Sequence, residues 1–236
     1  MIIQLISSPR NVSTALMYSF GQRSDTLCVD EPYYSCYLQF SNKNHPAQEI
    51  ILESQSTDRS IVRQQLQELS NKTMVLFIKN MAHHLTLDDI KNQNSWKHCF
   101  LIRHPKRIIQ SFAKVIPDVK SEDLGLEKQR MFYDYLINQG HHPIVIDSTD
   151  IVNHPREILQ KLCAELKLPF EKLMLSWPKG PKPYDGVWAP YWYHSVHQST
   201  GFVQSPQTII PPLSPRLQPL LNSQIHHYDY LSQFKI

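Results

Sequence analysis

Between an apolar N-terminal run and a stretch of helical spacing stands S-S-P-R-N-V-S-T, residues 7–14, whose residue types suit an anion. A turn feeding a helix N-terminus presents unpaired backbone N–H groups and the positive end of the helix dipole. Arg10, Ser13 and Thr14 add a guanidinium and two hydroxyls, so a phosphate or a sulfate is what this chemistry would hold. The plainer alternative is an ordinary capped helix. Neither standard glycine-rich phosphate loop is present, because the six glycines stand singly at Gly21, Gly125, Gly140, Gly180, Gly186 and Gly201. The position of a Walker lysine is held by Ser13 and that of its second glycine by Val12, so an anion held here is held without that lysine.

Further reactive residues follow other apolar runs. Arg103 ends one, and Ser111 lies eight residues on in a helical pattern. A planar guanidinium there can grip a phosphate with two hydrogen bonds while the hydroxyl adds a third donor. Glu31, in Asp30-Glu31-Pro32, directly follows a second run, and Lys79 ends a third with His83-His84 just beyond it. A histidine with a pKa near 6.5 serves as a base at neutral pH, whereas a glutamate near 4.3 does so only if burial raises it. The paired histidines His141-His142 and His226-His227, and His194 with His197, have no Cys or carboxylate at ligand spacing, so no metal site is expected. Cys28, Cys36, Cys99 and Cys163 form no C-x-x-C pair, and three of them sit in apolar stretches, which fits a reducing compartment.

The elements that must position these residues form an alternating series. Residues 1–6, 26–29, 74–78, 99–102 and 143–146 are short apolar runs of the kind that fill buried parallel strands. Helical spacing covers a stretch from Ser13 to the Arg23-Ser24-Asp25 stop, then 59–69, 105–115, 126–138 and 155–166, with Asn153 as N-cap of the last. The series predicts an α/β domain with a mostly parallel sheet covered on both faces and a ligand site at the carboxyl ends of its strands. Residues 40–58 read as a polar insertion. Residues 177–219 hold most of the prolines and the aromatic group Trp177, Tyr184, Trp188, Tyr191, Trp192 and Tyr193, and read as an ordered loop.

A chain of 236 residues and 27.6 kDa has room for one such domain over 1–236. Its formal charge of +3 is scattered, which argues for neither a nucleic-acid nor a membrane partner. With no apolar run near the roughly 18–20 residues of a bilayer span and no charged leader, the expectation is a soluble cytoplasmic protein. Nothing in the sequence specifies an oligomeric state.

Three of these segments, in order, resemble the P-loop sulfotransferases. Arg10 stands four residues before Thr14, as a cationic residue does in that family's 5′-phosphosulfate loop. FLIRHPKRIIQSF, residues 100–112, is similar to its 3′-phosphate site, with Arg103 and Ser111 at the family spacing. Residues 145–169 resemble its late strand, acidic turn and helix ending in Leu-Pro. SSPRNVSTALMYSF with DEPYY looks like a small branch that includes domains fused to other enzymes under aminotransferase-like names.

The resemblance implies a three-layer P-loop fold and a 3′-phosphoadenosine 5′-phosphosulfate donor. Arg10, Asn11, Val12, Ser13 and Thr14 would surround its sulfonate and 5′-phosphate, and Arg103 and Ser111 its 3′-phosphate. It also implies sulfonyl transfer to a hydroxyl or amine of a small-molecule or carbohydrate acceptor, without a metal. Arg10 would stabilise the departing charge and Glu31 would be the base, as in family members with a similar Glu-Pro. Lys79, His83 and His84 would line the acceptor side. The histidines are the competing base, at a spacing of four or five from the lysine where cytosolic members use two. Val12 departs from the family's usual glycine. The aromatic loop would close over adenine and acceptor or serve as a packed structural lid. The alternatives are a P-loop kinase-like enzyme using ATP and magnesium, and a nucleotide-binding module without activity.

Overall fold

The computed structural model describes residues 1–41, 45–91, 93, 95–114, 116, 118–203 and 211–236. Five apolar runs form one all-parallel sheet: β1 (Ile2–Ser7), β2 (Thr26–Asp30), β3 (Val75–Met81), β4 (Lys97–Ile102) and β5 (Ile144–Asp147), in the order β2-β3-β1-β4-β5. Every residue of β1 and β3 is buried, as a parallel strand covered on both faces requires.

The helices that cover it come, in chain order, as α1 (Ser13–Phe20), α2 (Tyr34–Leu38), α3 (Gln48–Ser54), α4 (Arg59–Ser70), α5 (Pro105–Phe112) and α6 (Ser121–Leu124). They continue as α7 (Leu126–Asn138), α8 (Ser148–Asn153), α9 (Pro155–Leu166), α10 (Ala189–Trp192), α11 (His194–His197) and α12 (Gln218–Ser232). On one face Ile3 and Leu5 pack with Leu16 and Met17 of α1 and Leu159 and Leu162 of α9. On the other, Ile2, Ile6 and Phe100 pack with Phe132 and Leu136 of α7, Val62 and Leu66 of α4 and Leu231 of α12. These two layers of helix around the sheet make the expected α/β sandwich.

The strand order turns at β1, which has β3 on one side and β4 on the other. Connections leave the carboxyl ends of these strands in opposite directions, and the crevice so opened is where α/β folds take a ligand. The loop 8–12 and the residues after β2, β3 and β4 all border it.

Several boundaries differ from the sequence reading. The helix expected over 105–115 ends at Phe112, and Val115 lies outside the described residues. Asn153 is not the N-cap of α9: it closes α8, and His154 takes the cap position without a side-chain hydrogen bond. The polar insertion 40–58 includes α3, which buries Ile51; residues 42–44 lie outside the described set. The late loop carries α10 and α11, residues 204–210 of it are not described, and α12 beyond it was not anticipated.

Candidate active site

At the carboxyl end of β1 the chain turns through two left-handed residues, Arg10 at φ 57° and Val12 at φ 52°. A β-branched side chain is strained there, and glycine would adopt the same backbone without cost. The loop therefore keeps the shape a glycine would give it. Val12 also occupies the N-cap of α1 and makes no side-chain hydrogen bond, whereas Asp58 caps α4 through Ser60 N and Asp147 caps α8 through Thr149 N. The first N–H groups of α1 are thus left for something else, in the alternating backbone geometry that forms anion nests. Asn11 is pinned by its amide N–H to the Leu101 carbonyl, and its buried Oδ1 has no partner among the described residues.

Arg10 reaches across the crevice, its Nε donating to Ser111 Oγ at 3.0 Å. Arg103, at the end of β4, donates to the Arg10 carbonyl. Among the described residues neither guanidinium has a carboxylate in ion-pair range. Burial lowers the pKa of both, Arg103 to about 10 with Arg107 and Arg10 adding to the effect. Two half-buried cations over an uncapped helix end are an arrangement chemically able to hold an anion. The loop is held by a residue the sequence reading missed, Gln129 of α7. Its amide donates to the Ile6 and Leu101 carbonyls at 2.8 and 3.0 Å, and its Oε1 accepts from Ser8 at 3.2 Å, tying the ends of β1 and β4 to the loop.

Across the crevice lies a second cluster of opposite design. Lys79 Nζ, fully buried at the end of β3, is 2.7 Å from Asp30 Oδ1 and 2.7 Å from Glu31 Oε1, and donates to Thr14 Oγ1 at 3.3 Å. Two carboxylates share one ammonium. Burial opposes the charge on Lys79, but the two carboxylates outweigh it and raise its pKa. Burial raises Glu31 to about 7, with Lys79 pulling down and Asp30 pushing up. Glu31 itself has φ 41°, a strained left-handed backbone fixed by its N–H on the Lys79 carbonyl at 2.8 Å. Its Oε2 lies 3.4 Å from His84 Nδ1. The His84 ring is stacked on Tyr34 and Tyr37, with centroids 4.2 and 4.8 Å away. Burial, with His83, His45, Lys79 and Lys128 adding, pushes the His84 pKa well below the usual value, so the ring is neutral.

The late loop closes this cluster. Tyr193 donates its hydroxyl to Asp30 Oδ2 at 2.7 Å and accepts from Trp188 Nε1 at 3.1 Å and from Lys79. The loop is anchored a second time by Asp185, which accepts from Tyr18 of α1 and lies 3.1 Å from His197 Nε2. Gly186 is required where it stands: a Cβ there would lie 2.1 Å from the Trp188 ring, and its N–H donates to Asp30 Oδ2 at 3.1 Å. The cavity between the two clusters measures about 600 Å³. Arg10, Arg103 and Ser111 stand at one end and Glu31, Lys79 and His84 at the other, with Trp188, Trp192 and Tyr193 forming a wall.

A family model for the sulfotransferase domain matches residues 1–233. The chain belongs to the sulfotransferase domain family. Two Arabidopsis thaliana proteins, branched-chain-amino-acid aminotransferase-like proteins 2 and 1, are 36% and 37% identical to it over 233 residues, 98% of the chain. The chain spans 40% of their length. Among solved structures, a sulfotransferase from Alicyclobacillus acidocaldarius superposes with a TM-score of 0.59 at 10% identity, covering 99% of this chain and 96% of that one. The sulfotransferase domain from the curacin biosynthetic pathway gives 0.51 at 19% identity, covering 94% and 96%. Mouse sulfotransferase SULT7A1, complexed with PAP, gives 0.53 at 11% identity, covering 99% and 87%. Likenesses this remote establish the P-loop sulfotransferase fold.

In this sulfotransferase domain the residues singled out from the sequence stand in one place. Arg10, Asn11, Val12, Ser13, Arg103, Ser111, Glu31, Lys79, His83 and His84 all line this cavity, and Thr14 joins its two clusters by accepting from Lys79. Lys79 lines the cavity with its ammonium paired to both carboxylates. Asp30 and Gln129 were not singled out as site residues, and Trp188 and Tyr193 were named only as members of the aromatic loop. Gln129 carried a readable signal, a polar residue on the helical stripe of Leu126, Tyr133 and Leu136. All four cysteines are free and buried. Among the described residues no three His, Cys, Asp or Glu side chains come together as a metal set, and no helix is long and apolar enough to cross a membrane.

Proposed function

We propose that this domain transfers a sulfonyl group from 3′-phosphoadenosine 5′-phosphosulfate to a hydroxyl or amine of a small-molecule or carbohydrate acceptor. The observation that carries the reading is the pair Arg10 and Arg103, without carboxylate partners among the described residues, set over the uncapped N-terminus of α1 in the same cavity as Glu31. The donor supplies the activated sulfonyl group and carries two anionic ends, and the site offers two cationic regions to receive them. The α1 N–H groups with Asn11, Val12, Ser13 and Thr14 hold the 5′ end, and Arg103 with Ser111 the 3′-phosphate. Glu31 takes the acceptor proton at Oε2, the carboxylate oxygen not engaged by Lys79. A pKa of about 7 suits that task at neutral pH better than the strongly lowered pKa of His84. Arg10 and the α1 N-terminus stabilise the charge gathering on the departing phosphate oxygen.

The left-handed backbone of Val12 supports a loop still shaped for binding, which favours this reading over an inactive module. Ser13 in place of the Walker lysine favours it over a kinase. We infer one cytoplasmic domain over residues 1–236 working without a metal. Incubation with donor labelled in its sulfonyl group and a panel of phenols, alcohols, amines and sugars tests the proposal. Label should pass to at least one acceptor, and Glu31→Gln should abolish transfer while keeping donor affinity. An active Glu31→Gln enzyme would move the base to His83 or His84.

A further inference from the structure

The cluster around Glu31 holds two carboxylates and one ammonium, so one negative charge in a buried site has no full positive counterpart there. What compensates it comes from far along the chain. Tyr193 lies 163 residues beyond Asp30, and its hydroxyl is saturated: it donates to Asp30 Oδ2 and accepts from Lys79 and from the Trp188 indole. The same oxygen lies 3.4 Å from Glu31 Oε1. The Lys79 ammonium also sits over the Tyr193 ring, 4.7 Å from its centroid. We propose that Tyr193 is a positioning residue, through which the late loop fixes how Lys79 is shared between Asp30 and Glu31 and so governs the protonation of the base. The proposal rests on the reading of Glu31 given above.

The groups facing Glu31 are Asp30 beside it in the chain, Lys79 from β3, His84 from the turn after β3, Tyr34 from α2 and Tyr193 from the late loop. His84 is neutral, and burial holds the Tyr34 and Tyr193 phenols protonated well above their ordinary range. Asp30 and Lys79 are therefore the groups whose pairing bears on Glu31. The Tyr193 hydroxyl stabilises the Asp30 carboxylate directly, leaving more of the ammonium to Glu31. Without it Asp30 Oδ2 retains, among the described residues, only the Gly186 N–H, Lys79 is drawn toward Asp30, and Glu31 becomes harder to ionise.

Tyr193→Phe keeps the buried ring and removes this one group. The readout needs no acceptor: protein labelled with ¹³C at the glutamate carboxyl carbons is titrated by NMR, and the Glu31 resonance is the one missing from Glu31→Gln. The expected result is a midpoint near 7 in the native protein and a rise of about half a unit or more in Tyr193→Phe. Affinity for 3′,5′-adenosine bisphosphate should stay within about twofold, since Tyr193 touches none of the donor residues except through Lys79. An unmoved Glu31 midpoint in a folded Tyr193→Phe protein overturns the proposal. If that variant does not fold, Trp188→Phe decides: it removes the indole N–H from the phenol and should raise the midpoint by less, and no rise overturns the proposal. Failure of the bisphosphate to bind native protein would defeat the sulfotransferase reading while leaving the NMR result to judge the coupling.

Discussion

The two ends of the cavity are charged in opposite ways and solved differently. At the Arg10 and Arg103 end, among the described residues, two guanidiniums meet only hydroxyl and carbonyl oxygens, and Asn11 Oδ1 has no partner. At the Glu31 end, Lys79 is satisfied by Asp30, Glu31, Thr14 and Tyr193 at once. Half-buried cations without an anion belong to a place built for an external one, whereas a closed network belongs to a place whose internal geometry has to be held. The first end is expected to govern affinity, and the second stability and proton transfer.

The sharpest way to break that division is Lys79→Met. It strands two buried carboxylates and should cost about 3–5 kcal/mol, lowering Tm by about 10 °C in a melt followed by circular dichroism. A loss under 1 kcal/mol would mean the network is not the structural unit described. The proton side of the same cluster comes next. The folded pKa of Glu31, about 7, lies above its ordinary value of 4.5. Its contribution to stability is therefore full below pH 4.5 and lost as pH rises through about 7. Against Glu31→Gln, the native protein should lose of order 2–3 kcal/mol across that window, read from melts at successive pH values.

At the other end, Arg103→Ala should leave Tm unchanged or raised, yet weaken 3′,5′-adenosine bisphosphate about ten- to hundredfold, the loss of about 1.5–3 kcal/mol of charged hydrogen bonding. Adenosine 5′-monophosphate, which lacks the 3′-phosphate, should bind the variant as it binds native protein, and calorimetry with the two nucleotides distinguishes these outcomes. The smallest effect is at Val12. Val12→Gly relieves a left-handed β-branched residue at the cost of a looser unfolded chain, for a net gain of about 1 kcal/mol and about 2–4 °C in Tm.

How much of this was legible in the sequence follows the range of the interactions. The strands and the loop 7–14 were readable because continuous apolar runs and turn chemistry are local signals. Arg103 and Ser111 were readable because a strand-to-helix unit fixes their spacing. The Asp30–Tyr193 contact was not, since it joins residues brought together only by the closing of the late loop. Helix α12 escaped because it buries little, Gln224 and Leu231 among its residues, and so lacks a strong apolar stripe. Asn153 misled because a good capping residue stood one position before the place where His154 takes the cap. The pairing of Lys79 with both Asp30 and Glu31 was not legible either, since it depends on β2 and β3 lying side by side.

The central claim is that the Arg10–Arg103 end takes a nucleotide carrying phosphate at both the 5′ and 3′ positions. Isothermal titration of the native protein with 3′,5′-adenosine bisphosphate, run beside ATP with magnesium, tests it directly. Saturable one-to-one binding of the bisphosphate, with ATP and magnesium at least tenfold weaker, is the predicted result. Binding of ATP with magnesium and none of the bisphosphate would contradict it and return the fold to its kinase-like alternative.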